Sequence, residues 1–360
     1  MKILSILTYY APHWTGLTAH AVRLAEGLAA RGHEVTVLTT RHAPELPRRE
    51  VLHGVRVVRL ATAGRFSRGM IAPAFPIAAW RLVAAHDVVQ IHTPLPEALL
   101  AAAAARALDR PCVMTHHGDL VLPPGPLNRA VQAAGHLILA GAGALSDAVT
   151  VYNRDYAESS RLLLSLGHKV HAIRPPVSLP RPDISATAAW RAELGLGDRA
   201  VVGFAGRWVE EKGFDVLLRA LPLLQERHPR AHLVYAGEPN VAYERTFERC
   251  RPLLDAVRGH VTTLGLLRDP ERMARFYAMC DVFALPSRSD MLALVQVEAL
   301  LSGTPVVASD IPGARVAVRE TGYGRLAPAD DPRGLADALG AVLTNRERHA
   351  PRRERIEALF

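Results

Sequence analysis

Short apolar runs alternate with longer segments of helical spacing from one end of the chain to the other. KILSIL (2–7), EVTVLT (34–39), DVVQIH (87–92), PCVMT (111–115) and AVTVY (148–152) have the length and character of buried strands. Between them lie Ala/Leu-rich segments such as TAHAVRLAEGLAARG, where Val22, Ala25, Leu28 and Ala29 share a helical face and Gly32 supplies a stop. This alternation predicts parallel sheets with crossover helices. It breaks at RPPVSLPRPD (174–183), which has four prolines and little apolar periodicity. A second series follows: AVVGFAG (200–206), AHLVYAG (231–237), DVFALP (281–286) and PVVAS (305–309). The chain therefore reads as two α/β domains, 1–176 and 177–360, joined by a proline-rich hinge. Ligands of open α/β sheets bind beyond the carboxyl ends of the strands, so a cleft between the domains is the expected site.

Four strand-end loops carry candidate chemistry. In YYAPHWTGLTAH, Gly16 lies just before a helix N-terminus that favours an anion, although an ordinary loop glycine reads equally well. In THHGDL, His117 stands at a strand end, where it can donate a hydrogen bond or exchange a proton. In GFAGRWVEEKGFDVLLRAL, Arg207 and Lys212 flank one loop and can converge on a diphosphate, Arg by its fork and Lys as a point charge. The competing account is a solvated loop with Glu210 and Glu211 as surface partners. In PSRSDMLALVQVEALLSG, a helix starting near Met291 puts Asp290 beside its first N–H groups and Glu298 about two turns deeper. Glu298 has mostly apolar neighbours, so it wants a partner, and a sugar diol would serve.

Composition narrows the class. Hydrophobic residues make up 49% and charged residues 22%, which fits a folded globular protein. Forty-three basic against 35 acidic residues give a net charge of +8, but they are scattered, with no basic stripe interleaved with aromatics. Nucleic acid is therefore not an expected partner, and an anionic small ligand or an acidic membrane surface explains the excess. Cys112, Cys250 and Cys280 lie far apart and odd in number, which points to a reducing cytoplasm and gives no metal-ligand spacing. The opening MKILSILTYY is too short for a signal-peptide core, and no segment has the length and apolarity of a membrane span. No G-x-G-x-x-G follows a strand, against a nicotinamide dehydrogenase.

Taken together, these loops resemble the retaining nucleotide-sugar glycosyltransferases of the GT-B fold, group 1 or family four, over nearly the whole chain. The matching stretches, in order, are TGLTAHAVRLAEGLAARGHEVTVLT, GRWVEEKGFDVLLRALPLL, YAGE and LGLLRDPERMARFYAMCDVFALPSRSDMLALVQVEALLSGTPVVASDIPG. The resemblance implies two Rossmann-like domains facing across a cleft, the N-terminal one for the acceptor and the C-terminal one for the donor. It implies that Arg207 and Lys212 hold the donor diphosphate and that backbone N–H groups around Ala293, Leu294 and Val295 add to that hold. Glu298 is then expected on the ribose, Asp290 on the donor sugar, and His117 near the reaction centre. Gly16 and Gly237 are expected in donor binding, Gly16 by letting a backbone amide approach phosphate or acceptor. The family needs no divalent metal and no cofactor beyond the donor, and the sequence holds no Asp-x-Asp. It also has a last helix that crosses back onto the N-terminal domain, expected beyond RERIEALF.

Two departures keep a second expectation open. Thr15 precedes Gly16 where the family has paired glycines, and Asp290 with Met291, Leu292 and Ala293 replaces Glu followed by an aromatic–Gly pair. Asp is a methylene shorter than Glu, and Ala293 adds a methyl where backbone and sugar would meet. The alternative is a nucleotide-sugar-binding subunit with little or no turnover. The acceptor is expected to be a glycan, a lipid-linked species or a small molecule. The segment 64–85 mixes Arg65, Arg68 and Arg81 with Phe66, Phe75 and Trp80, which offers either peripheral contact with the inner face of the membrane or a buried crossover helix.

Overall fold

The computed structural model describes residues 1–66, 69–120, 122, 125–238 and 245–360. The chain divides into two compact units, Met1–Pro176 and Val177–Phe360. The strands of the first are β1 (Lys2–Ile6), β2 (Glu34–Thr40), β3 (Arg49–Leu52), β4 (Val55–Leu60), β5 (Gly64–Phe66), β6 (Gly69–Ile71), β7 (Val88–Thr93), β8 (Cys112–His116), β9 (Ala148–Val151) and β10 (Val170–Ala172). Its main sheet runs β10-β9-β8-β7-β1-β2-β4-β3, parallel except for β3, while β5 and β6 form a separate ribbon.

The second unit has β11 (Ala200–Ala205), β12 (Ala231–Ala236), β13 (Val261–Gly265), β14 (Val282–Leu285), β15 (Val306–Ser309) and β16 (Gly324–Ala327). They pair in the order β13-β12-β11-β14-β15-β16, parallel throughout. Counted from its own first strand this is the doubly wound order 3-2-1-4-5-6, whose topological switch point lies between β11 and β14. In the first unit β1 and β7 flank the corresponding point. At each switch point the two chain crossovers leave in opposite directions, and a crevice opens beyond the strand ends.

Burial on both faces is why the central strands read as unbroken apolar runs. On β11, Val201 and Ala205 enter one core cluster while Val202 and Phe204 enter the other. β14 alternates in the same way, Phe283 and Leu285 against Val282 and Ala284. The strands of the two main sheets outside the apolar runs of the sequence are β3, β4, β10, β13 and β16. β4 reads VRVVRL, with Val55 and Val57 buried and Arg56 exposed, a half-buried alternation rather than a run. It joins β3 through His53 and Gly54 at φ of 46° and 83°, positive at both positions as a two-residue hairpin turn demands. β3, β10, β13 and β16 are edge strands with one neighbour each, where polar residues carry little penalty.

Candidate active site

In the second unit the loops after β11 and β14 meet. Beyond β11 come Gly206 and Arg207, a single 3-10 turn at Glu210–Lys212, and Gly213, which starts the helix Phe214–Gln225. That helix buries Phe214, Leu217, Leu218 and Leu221, so the loop before it sits on a fixed base. Gly213 has φ 63°, and a Cβ there would lie 2.0 Å from Pro286 O. Only glycine lets the two loops approach this closely.

Arg288 fastens them. Its N–H donates to Glu211 O at 2.8 Å and its Nη1 to Glu210 O at 2.7 Å. The same guanidinium forms a fork with Asp215, Nη1 to Oδ1 and Nη2 to Oδ2, both at 2.8 Å. Burial pushes the Asp215 carboxyl up, but the hydrogen bonds and charge of Arg288 outweigh it and leave it below the usual carboxylate range. The bonds from Asp215 in turn raise Arg288 above its ordinary value. Sequence reasoning passed over Arg288, because its partners, Glu210, Glu211, Asp215 and Asp330, come from other strand-end loops.

The cations of the motif lie beside this tie. Lys212 Nζ is 2.7 Å from Asp290 Oδ2, which also accepts from Ser287 Oγ at 3.2 Å. These two charged side chains are 22% and 10% exposed, so the pair is largely shielded from water. Arg207 Nη2 stands 3.6 Å from Glu211 Oε1. The structure thus brings Lys212 and Asp290 together and gives Arg207 a separate acid.

The helix after β14 is Leu294–Leu301, with Ala293 as its N-cap, and does not begin near Met291. Asp290 forms an isolated parallel bridge with Gly313, which holds the approach to the helix out of helical geometry. Ala293 supplies no side-chain cap, so the leading N–H groups, at Leu294 and Val295, present a partial positive charge. Gln296, in the first turn, is fully buried, and neither atom of its amide has a hydrogen-bond partner among the described residues. Glu298 is the fifth helical residue, only 9% exposed, and its Oε2 accepts from Tyr277 OH at 2.9 Å. It lies a single turn inside the helix, not two, and is not on a solvated face. Gly237 ends β12 with its N–H on Gly265 O at 2.9 Å, and a Cβ there would lie 2.0 Å from Gly206 O. Close packing of the β11 and β12 ends therefore accounts for this glycine.

In the first unit, Gly16 is the first residue of the helix Gly16–Ala30. Thr15 caps that helix, accepting from Thr18 N while its own N–H donates to Thr18 Oγ1, which is the work Thr does in place of a paired glycine. A Cβ at Gly16 meets nothing within 4 Å, so packing does not demand glycine there. His117 follows β8 and belongs to a cluster. Its ring is bonded to His92, Nε2 to Nδ1 at 2.8 Å, and to Tyr152 OH from Nδ1 at 2.6 Å. His92 Nε2 is 3.0 Å from Ser5 Oγ, and the His20 ring centre lies 5.1 Å from that of His117. Burial pushes His117 well below the usual imidazole value, helped by neighbouring His92, His20 and His116. Burial likewise lowers His92 to about 3 and His20 to about 4. All three rings are neutral at pH 7, and each can donate one N–H. The sequence singled out His117 alone, because the others come from the helix Gly16–Ala30 and the end of β7, which only the fold brings beside it.

The helix Phe75–Ala84 buries Phe75 but exposes Ile77 (62%), Trp80 (49%) and Arg81. Arg68 and the side chain of Phe66 lie outside the described residues. Among the described residues no helix is long and apolar enough to cross a membrane.

Two doubly wound sheets, one with cations and a helix N-terminus gathered at its switch point, define a class of α/β proteins built to bind phosphorylated ligands. Residues 14–181 match the family Glycosyltransferase Family 4, and residues 199–345 match Glycosyl transferases group 1. A GDP-mannose-dependent alpha-(1-6)-phosphatidylinositol monomannoside mannosyltransferase of Mycolicibacterium smegmatis is 32% identical over 90% of this chain and 85% of its own length. Sucrose-phosphate synthase from Thermosynechococcus elongatus has the same fold, with TM-score 0.79 and 22% identity over 100% of this chain and 94% of its own. Anabaena HepE in complex with UDP and glucose gives 0.78 and 21% with the same coverage. The chain belongs to the group 1, family four glycosyltransferases. Its fold is GT-B, and it is a glycosyltransferase of the hexosyl type.

Replacing Arg288 by Ala leaves the largely buried Asp215 carboxylate without its fork, with Arg219 at 3.6 Å left beside it, an expected loss of about 2–4 kcal/mol once partial exposure is allowed for. Arg288→Lys restores charge but not the fork, and recovers less than half of that loss. Urea unfolding of the three proteins measures it, and equal stabilities would contradict the role given to Arg288.

Proposed function

We propose that this enzyme moves a sugar from a nucleotide-diphosphate donor to an acceptor with retention of anomeric configuration and without a metal ion. The observation that carries the reading is the gathering of Lys212, Asp290 and the uncapped start of Leu294–Leu301 at one switch point. Arg207 and Lys212 take the diphosphate and stabilise the charge that grows as the nucleotide leaves. The N–H groups of Ala293, Leu294 and Val295 add the dipole of the helix. Glu298, oriented by Tyr277, accepts hydrogen bonds from the ribose hydroxyls, and Asp290 faces the sugar. Gly237 keeps side chains away from the donor. The charge of the protein's own cations replaces a metal, so no cofactor beyond the donor is needed.

A phosphate oxygen of the donor assists removal of the acceptor proton, so no dedicated base is required. On the acceptor side, Gly16 leaves open space at a helix N-terminus, and neutral His117, held between His92 and Tyr152, lies near the reaction centre. The name of the mycobacterial relative directs attention to GDP-mannose and a phosphatidylinositol-linked acceptor. The HepE complex adds UDP and glucose. Glycan and small-molecule acceptors belong in the same screen. Exposure of Ile77, Trp80 and Arg81 supports peripheral contact of the first unit with the inner face of the membrane, in a cytoplasmic enzyme.

One observation favours a second reading, a donor-binding subunit with little turnover. Asp290, shorter than Glu, is held by Lys212 and Ser287 rather than standing clear. Donor binding without donor hydrolysis or transfer would select that reading.

A panel of GDP-, UDP- and ADP-sugars, read by thermal shift, is expected to raise the melting temperature for one nucleotide class, because a ligand stabilises the state it binds. Arg207→Ala should abolish the shift and lower kcat/KM by about 100- to 1,000-fold. A panel without any shift, or an Arg207→Ala enzyme that behaves as wild type, would contradict the assignment. Sedimentation with anionic vesicles is expected to pellet the wild type and to leave most Trp80→Ser in solution; a wild type that stays in solution retires membrane contact.

A further inference from the structure

We propose that His20, His92 and His117 form a binding site for a divalent transition-metal ion of the zinc class, one that takes no part in sugar transfer and inhibits it. The three come from the helix Gly16–Ala30, the end of β7 and the residue after β8. One ring nitrogen of each lies within 4.8 Å of the others. The ring centres are 5.1 Å apart for His20–His117 and for His92–His117, and 6.0 Å apart for His20–His92. Three imidazoles bound at about 2 Å to a tetrahedral ion have ring centres about 5 Å apart. Ring rotations are therefore enough to close the site. The 2.8 Å contact between His92 Nδ1 and His117 Nε2 has only to open to about 3.3 Å, the spacing of two ligands on one tetrahedral ion.

The outward nitrogens are already arranged for this. His92 Nε2 faces Ser5 Oγ at 3.0 Å, and His117 Nδ1 faces Tyr152 OH at 2.6 Å. A metal-bound imidazole needs such an acceptor for its other N–H, which fixes tautomer and ring orientation. His20 is 6% exposed, and its Nδ1 is buried with no hydrogen-bond partner among the described residues. Burial also holds the three rings neutral, the form in which imidazole donates its lone pair. An all-imidazole set suits zinc, copper or nickel and not magnesium or calcium. Three ligands leave a fourth coordination position.

Occupation fixes the His117 ring and sets a divalent charge beside the acceptor side. That consequence rests on the transferase reading; binding of the ion does not.

Titration of the full chain with Co(II), followed by its visible absorption, tests the site. The expected result is one saturable equivalent with the intense bands of a tetrahedral ion, displaced by Zn(II). His20→Gln should abolish the band, with circular dichroism confirming its fold, and Tyr152→Phe should weaken binding about 10- to 100-fold. No saturable band in the wild type, whatever the variants do, overturns the site, as does a band undiminished in His20→Gln. Loss of sugar transfer at saturating Zn(II) supports the inhibitory half, and transfer that is unaffected overturns that half alone.

Discussion

The strand-end loops of the second unit depend on one guanidinium. β11 and β14 are neighbours in the sheet, but the chain leaves them in opposite directions, and nothing in the sheet itself fixes the loops beyond. Arg288 does so, with a fork to Asp215 and a hydrogen bond to the Glu210 carbonyl. An ion pair this deep returns little net stability, since taking both charges out of water cancels most of their attraction. What it fixes is register. Lys212, Asp290 and the start of Leu294–Leu301 keep their mutual positions because Arg288 allows one arrangement of two loops.

Within that frame the electrostatics are poised. Asp290 lies against Lys212, and Glu211 against Arg207, so each cation has a carboxylate beside it. A diphosphate carries more charge than either acid and also gains the helix N-terminus, which no side chain caps. On the proposed reading, binding of the donor is an exchange of anions around cations already in place. Little reorganisation is left for the moment when charge builds on the leaving nucleotide, and preorganised charge is what lowers such a barrier. The first unit follows a different logic. Its switch point gathers neutral imidazoles and hydroxyls, from Ser5 through His92 and His117 to Tyr152, which donate and accept without net charge.

Much of this was legible in the sequence. Apolar runs marked the central strands, because those are buried on both faces, and the proline-rich stretch marked the change of unit. β4 escaped because arginines interrupt its valines, and the edge strands because one-sided pairing tolerates polar residues. Arg207, Lys212 and Glu298 stood out by motif spacing along a single loop or helix. Arg288, His20 and His92 did not, since their meaning lies in partners that come from other strand ends. The start of Leu294–Leu301 was misplaced by three residues, because the bridge from Asp290 to Gly313 leaves no trace in local propensity.

On the proposed reading, Lys212 engages the phosphate beyond the nucleoside's first. Calorimetric titration of a nucleoside diphosphate and its monophosphate, against wild type and Lys212→Ala, tests it most directly. The diphosphate is expected to bind the wild type at least about tenfold tighter than the monophosphate, the worth of one charge-assisted contact. Lys212→Ala should erase that margin and leave monophosphate affinity unchanged. A margin that survives the substitution would contradict the account.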